Sequence, residues 1–220
     1  MGNIKRLGCF WGLGLTLLGS LGCDHIPSQE EKALVTNDKT ITKDEKVSTD
    51  ELIRHLKLQS HVEGGYYRRT FQADHRDPIS TENGDRYTLT SIYYLLTEAS
   101  PIGRWHLNQS DILHFFHLGD PITYYLIHPD GTLTTAVLGP DPSQGHRLQL
   151  AVPGGTWKAS YLPQGEYGLI SEAVAPGFDF ADMSIGDRSV LIAQFPEHEA
   201  LITQLTPTTH TNKTTKRKSH

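Results

Sequence analysis

The chain has 220 residues, a formal charge of −5 and 37% hydrophobic side chains, which sets it at one domain of roughly 100–200 residues with tails. Its basic run, residues 213–218, stands apart from the expected folded region, so no basic face and no nucleic-acid partner are expected. The two cysteines, Cys9 and Cys23, precede the domain, which excludes a disulfide, a thiolate nucleophile and a zinc–cysteine cluster within it.

In chain order, Lys5 and Arg6 precede an apolar stretch over residues 7–21 that ends in Gly22 and Cys23, the pattern of a signal peptide. The stretch is shorter than the roughly 20 residues a membrane span needs. Ser20-Leu21-Gly22-Cys23 resembles the lipobox of bacterial lipoproteins, with Ser20 and Leu21 where that pattern favours Leu and a small residue. The resemblance implies lipidation at Cys23, membrane attachment by a lipid anchor only, and an exported, periplasmic or cell-envelope location. Residues 24–47 are rich in Glu, Lys, Asp, Thr and Ser, as a solvated tether is. The folded domain is expected over residues 48–205. It opens on Ser48-Thr49-Asp50-Glu51, a capping box, followed by Leu52, Ile53 and Leu56 at helical spacing. The period then changes. Residues 87–96, 112–118, 122–127, 133–138, 148–152, 167–174 and 190–195 are short runs rich in β-branched, aromatic and aliphatic residues, and each is an expected strand. Between them lie turn residues such as Asn83-Gly84, Pro129-Asp130-Gly131 and Pro153-Gly154-Gly155. Many short strands with regular turns predict an all-β sandwich or barrel. Residues 206–220, polar and without apolar periodicity, are expected to be a disordered basic tail.

The chemistry-bearing motifs lie at residues 105–120 and 152–158. Trp105-His106-Leu107-Asn108 through Gly119-Asp120, and Val152-Pro153-Gly154-Gly155-Thr156-Trp157-Lys158, resemble the two motifs of a cupin barrel. Aligning Gly119 with the closing glycine of the first motif puts His106 and Asn108 at its His-x-His and Ile112 at its Glu. Pro153-x-Gly155 then puts Lys158 at the His of the second. That set of side chains does not suit a divalent transition metal, so no metal and no cofactor are expected. Three further strings, His61-Val62-Glu63-Gly64-Gly65-Tyr66-Tyr67-Arg68, Ser91-Ile92-Tyr93-Tyr94-Leu95-Leu96 and Val174-Ala175-Pro176-Gly177-Phe178-Asp179-Phe180, make the resemblance more specific. Together they are similar to a small, largely uncharacterised branch of the cupin superfamily, of the DUF985 type. Its structural relatives include epimerases of the dTDP-4-dehydrorhamnose kind. The likeness covers residues 52–196 and implies an antiparallel double-sheet jelly roll with a short N-terminal helix, a small-molecule pocket in the barrel, and a homodimer.

Alternation along residues 112–118 puts Ile112, His114 and Phe116 on one face. If Ile112 faces the barrel interior, as the alignment implies, so does His114, and His106 joins it. Two imidazoles in an apolar pocket are candidates for general base and acid, against the plainer reading of hydrogen-bonded structural histidines. Glu172 lies on an otherwise apolar strand and must be paired or shifted in pKa if buried; Lys158 is its candidate partner, either catalytic or a structural plug. Glu63, Tyr66 and Arg68 are candidate substrate-binding groups, Arg68 for a carboxylate or phosphate, with Trp157 and Phe178 as ring-stacking candidates. The expectation is a cupin-domain protein that binds a small polar ligand, sugar-like or carboxylated, with a metal-independent isomerase or epimerase activity. The alternatives are a ligand-binding lipoprotein without turnover, and a metal-dependent cupin with a non-standard ligand set.

Overall fold

The structure, a computed structural model, describes residues 47–206. The leader with Cys23, the tether and the basic tail lie outside the described residues, apart from Val47 and Thr206. Within the described residues are helix α1 (Thr49–His55) and strands β1 (Gln59–Ser60), β2 (Tyr66–Gln72), β3 (Ile79–Thr81), β4 (Gly84–Arg86), β5 (Thr90–Thr97) and β6 (Ile102–Asn108). The remaining strands are β7 (Asp111–Gly119), β8 (Ile122–Ile127), β9 (Leu133–Leu138), β10 (Gln149–Val152), β11 (Trp157–Tyr161), β12 (Tyr167–Ala175) and β13 (Met183–Ile185). Helices α2 (Arg188–Gln194) and α3 (Glu199–Gln204) follow.

The strands form a six-stranded sheet in the order β1-β2-β5-β12-β7-β10 and a five-stranded sheet in the order β13-β6-β11-β8-β9, with β3 and β4 as a separate hairpin. Every pairing between named strands is antiparallel. This is the expected all-β, double-sheet jelly roll. Between the sheets one core cluster joins Tyr94, Leu96, Ile122, Tyr124, Leu126, Ala136, Leu138, Leu150 and Ile170, and the period of two along each strand decides which residues enter it.

The outer faces are covered separately. The Ser48 side chain accepts from the Glu51 N–H at 3.3 Å while the Glu51 carboxylate accepts from the Ser48 N–H at 3.1 Å, closing the expected capping box. Helix α1 then buries Leu52, with Leu58, against Leu95, Tyr167 and Leu169 on the outside of the six-stranded sheet. On the five-stranded sheet, Leu191, Phe195, Ile202 and Leu205 pack on Trp105, Ile127 and Ala159.

Residues 190–195, expected as a strand, are therefore mostly helix α2. Asp187 caps it by accepting from the Val190 N–H at 3.0 Å, and the buried positions Leu191 and Phe195 stand four apart while Val190 is 61% exposed. That is a helical stripe. Thr206, assigned to the tail in the sequence, is 8% exposed and its carbonyl accepts from Arg188, so the packed domain includes it. Strands β1, β2, β3, β4, β6, β11 and β13 were absent from the expected set. Among the described residues no helix is long and apolar enough to cross a membrane.

Candidate functional site

Strand register builds a polar nest at one end of the barrel interior. Antiparallel pairing sets Lys158 of β11 directly across from His106 of β6, and Glu172 of β12 directly across from His114 of β7. Both pairs point inward, so four ionisable groups converge from four strands. Lys158, His106 and His114 are buried at 2%, 5% and 0% exposure. The structure thus brings His106, His114, Lys158 and Glu172 into one interior.

The fifth member arrives on a loop. Residues 61–65 fold over the end of the barrel, where the Glu63 carbonyl accepts from the Arg104 N–H at 2.7 Å and the Gly64 carbonyl accepts from the Tyr94 hydroxyl at 3.0 Å. Gly64 has φ +102°, and a Cβ there would lie 2.1 Å from the Ile102 carbonyl oxygen; at Gly65, φ +68°, one would lie 2.5 Å from that of Leu95. Only glycine lets the loop approach both backbones so closely. The consequence is a carboxyl group thrust inward: Glu63 is 7% exposed.

The partners differ from those expected. Glu172 meets His114, not Lys158: its Oε1 lies 3.2 Å from His114 Nδ1. This is a close contact rather than an aligned hydrogen bond, since neither ring nitrogen of His114 has an oriented partner. Lys158 forms no direct ion pair with any described carboxylate. His106 meets Glu63, with Nε2 at 3.3 Å from Oε2, and His61 Nδ1 stands 3.6 Å from the same oxygen. His106 Nδ1 donates to the Arg104 carbonyl at 2.7 Å. That carbonyl sits where the β6–β11 register shifts, between the pairs Lys158–His106 and Ser160–Gly103, a bulge that re-aims the backbone.

These contacts fix the protonation. With Nδ1–H committed to the Arg104 carbonyl, a neutral His106 offers Nε2 as an acceptor, so the Glu63 carboxyl facing it must carry the proton. Burial pushes the Glu63 carboxyl up to about 8, against the pull of Lys158 and with the repulsion of Glu172. Burial, and then Lys158, hold the His106 imidazole well below the usual histidine range. The two groups face each other across 3.3 Å. Burial also pushes Glu172 up, but the opposing pull of His114, Lys158 and His106 brings it down to about 2. Burial drives the two imidazoles toward neutrality, and His114 first and Lys158 next are the groups that hold Glu172 down. Burial lowers the Lys158 ammonium while Glu172 and Glu63 raise it.

A chamber of about 60 Å³ opens onto this nest, lined by His61, Glu63, His106, Asn108 and Glu172 and walled by Ile92, Ile112 and Val174. Arg69, Phe178 and Phe180 line both the chamber and an outer vestibule of about 500 Å³. The Phe178 and Phe180 rings meet edge to face at 5.1 Å. Phe178 is thus at the mouth, as an aromatic lid would be.

Three expected binding residues lie elsewhere. Tyr66 and Arg68 face outward on β2, Tyr66 packed against the α1 cluster and Arg68 over the Tyr93 ring at 5.8 Å. Their neighbours Tyr67 and Arg69 face in. Trp157 is turned outward onto the α2–α3 cluster, because Lys158 next to it takes the inward position. His61, Tyr67 and Arg69 are polar residues of the chamber that sequence reasoning did not place in the site, and Asn108 it placed only as a replaced metal ligand.

Residues 50–186 match the family described as "Cupin superfamily (DUF985)". The chain belongs to this family. It is 40% identical over 148 residues to the uncharacterized protein YML079W of Saccharomyces cerevisiae, which covers 61% of this chain and 73% of the yeast protein. Among solved structures it is similar to a hypothetical protein from Leishmania major, at 31% identity and TM-score 0.69 over 74% of this chain and 100% of that one. It is also similar to protein SO0799 from Shewanella oneidensis, at 34% identity and TM-score 0.67 over 74% and 99% of the two chains. In cupin terms, the metal-ligand positions of the two motifs do come together here, at His106, Asn108, Ile112 and Lys158. They do not fit a metal: Ile112 has no donor atom, Lys158 presents a cation, and His106 is held between the Arg104 carbonyl and Glu63. No cluster of three or more His, Cys, Asp or Glu suited to a metal occurs among the described residues.

Proposed function

We propose that this cupin domain binds a small, polar, carboxylated molecule in its barrel and moves a proton on it without a metal, as an isomerase does. The observation that carries the reading is the contact of Glu63 with His106 in the wall of the chamber, a pair that on this reading shares one proton. A carboxyl near 8 keeps its proton at neutral pH beside an imidazole that burial holds unprotonated, so an acid and a base stand side by side. In this mechanism the protonated Glu63 carboxyl turns from His106 to the ligand, and the freed His106 Nε2 takes a proton from the carbon next to the ligand carbonyl. Glu63 returns a proton to the neighbouring atom, and the Lys158 charge steadies the enolate that forms between the two steps. Chamber size supports a small ligand over a nucleotide sugar: about 60 Å³ is room for about four to six water-sized groups.

Exchange in D₂O tests the proposal. Small oxo and hydroxy acids incubated with the full chain should gain deuterium at the carbon next to the carbonyl, and Glu63→Gln and His106→Ala should each abolish the gain. A ligand that binds the wild type tightly with no deuterium incorporated overturns the isomerase reading in favour of a binding protein. We place the domain outside the cytoplasm on a lipid at Cys23; in bacterial cells Cys23→Ser should then lose incorporation of labelled palmitate, and an unchanged label would refute the anchor.

A further inference from the structure

We propose that the ligand of the chamber is a short α-hydroxy acid, seated with its hydroxyl against Asn108 and Glu172 and its carboxylate against Arg69 at the mouth. The inference rests on the reading of the chamber as the ligand site and adds the chemical class. Three features of the lining carry it. The first is an unmet acceptor: Asn108 is 6% exposed and its Oδ1 has no hydrogen-bond partner. A buried acceptor without a donor is costly, and a ligand hydroxyl would supply the donor. Glu172, an acceptor-only group when ionised, lines the same chamber.

Second, charge balance selects the hydroxyl over an amine. Glu172 and the Lys158 ammonium oppose each other's charge, and burial disfavours charge on Glu63 and His106 alike. An ammonium would bring an uncompensated charge into a closed space, whereas a hydroxyl donates without charge. Third, Arg69 supplies the anion site. It lies at the junction of chamber and vestibule and makes no hydrogen bond or ion pair with a described residue. A guanidinium left open at the mouth of a cavity matches a planar carboxylate. Ile92, Ile112 and Val174 then leave space for little more than a methyl group on the carbon between the two ends.

The test is calorimetric titration of the full chain with lactate and glycolate, and with propionate, alanine and 1,2-propanediol, each of which lacks or replaces one feature. Lactate or glycolate should bind, and each of the three analogues should bind about tenfold or more weakly than lactate, the loss expected when a buried partner goes unpaired. Arg69→Gln should weaken lactate by about tenfold or more while leaving propanediol unchanged. Failure of both hydroxy acids to bind, propionate or alanine binding as tightly as lactate, or Arg69→Gln without effect would each overturn the assignment. His106→Ala separates this from the underlying reading. If a nucleotide sugar binds the wild type but not His106→Ala, and lactate binds neither, the chamber is the site and the hydroxy acid is wrong. If lactate binds both proteins equally and still needs Arg69, the acid sits in the vestibule and the chamber reading is the part that fails.

Discussion

The interior between the two sheets has an apolar end and a polar end, and they are built by opposite rules. At one end Ile122, Leu126, Leu138, Leu150 and Ile170 are at 0–3% exposure and pack in one cluster with Tyr94 and Tyr124. At the other, the inward positions hold His106, Asn108, His114, Lys158 and Glu172, and Leu150 and Leu126 border it as the cross-strand neighbours of His114 and Lys158. The apolar end is satisfied by packing apart from the Tyr124 hydroxyl, which has no hydrogen-bond partner. The polar end keeps an unpaired Asn108 Oδ1, two unaligned His114 nitrogens and a carboxyl pushed to about 8. A fold needs only the first kind of interior, and the second, which costs stability, marks where binding and chemistry are to be sought.

Breaking the polar end at Lys158 should produce the largest effect. Lys158→Met removes a buried cation that helps to hold Glu172 ionised and should cost on the order of 3–5 kcal/mol of folding stability in urea titration. The double variant with Glu172→Leu should recover most of that loss while ligand binding stays absent. Full recovery of binding as well would make the pair a plug and nothing more. At the apolar end, Leu138→Ala should cost about 2–5 kcal/mol through the cavity it leaves, with the affinity of the folded protein for its ligand unchanged. Lost affinity there would mean that the two ends are not independent.

The contrast between the ends was partly legible in the sequence. Along β7 apolar and polar residues differ enough for alternation to fix His114 inward once Ile112 is placed, and β12 marks Glu172 as a lone carboxylate among apolar residues. Along β2 the same logic fails: Tyr66-Tyr67-Arg68-Arg69 doubles each residue type, so a one-residue shift leaves the pattern looking the same, and the wrong pair was placed inside. Trp157 misled for a different reason. Its face of β11 is buried too, under helices α2 and α3, and reading residues 190–195 as a strand hid the cover that gives Trp157 an outer core to fill. The Glu63–His106 contact depends on a glycine-rich loop laid across β5 and β6 and on the bulge at Arg104. Neither is written in local periodicity.

The shared proton should be visible as a pH dependence of stability. Glu63 has a folded value of about 8 against an ordinary 4.5, so it holds its proton more tightly when folded. Its contribution is fully present below pH 4.5 and is lost as pH rises to about 8. His106 is shifted the other way from 6.5. Between 4.5 and 6.5 the folded pair and the unfolded chain each bind one proton, and the two slopes cancel. From 6.5 to about 8 only the folded pair keeps its proton, so stability should fall by about 1 kcal/mol per pH unit. Glu63→Gln should remove that slope. An unchanged slope in the variant would show that the proton does not reside on this pair.

The smallest expected effect compares the two faces of β2. Arg68 lies over the Tyr93 ring at 5.8 Å, with its Nε lacking a hydrogen-bond partner. Arg68→Ala therefore forfeits only a cation–π contact and some packing of its stem, about 0.5–1 kcal/mol. Because the side chain is on the α1 side of the sheet, affinity for any ligand of the chamber should not change. Arg69, one residue on, reverses both expectations: its loss should leave stability within about 0.5 kcal/mol, as for a partly exposed side chain without partners, and should remove ligand affinity. Measuring both variants by thermal unfolding with and without ligand tests the register of β2 directly, since a slip of one residue would exchange the two results.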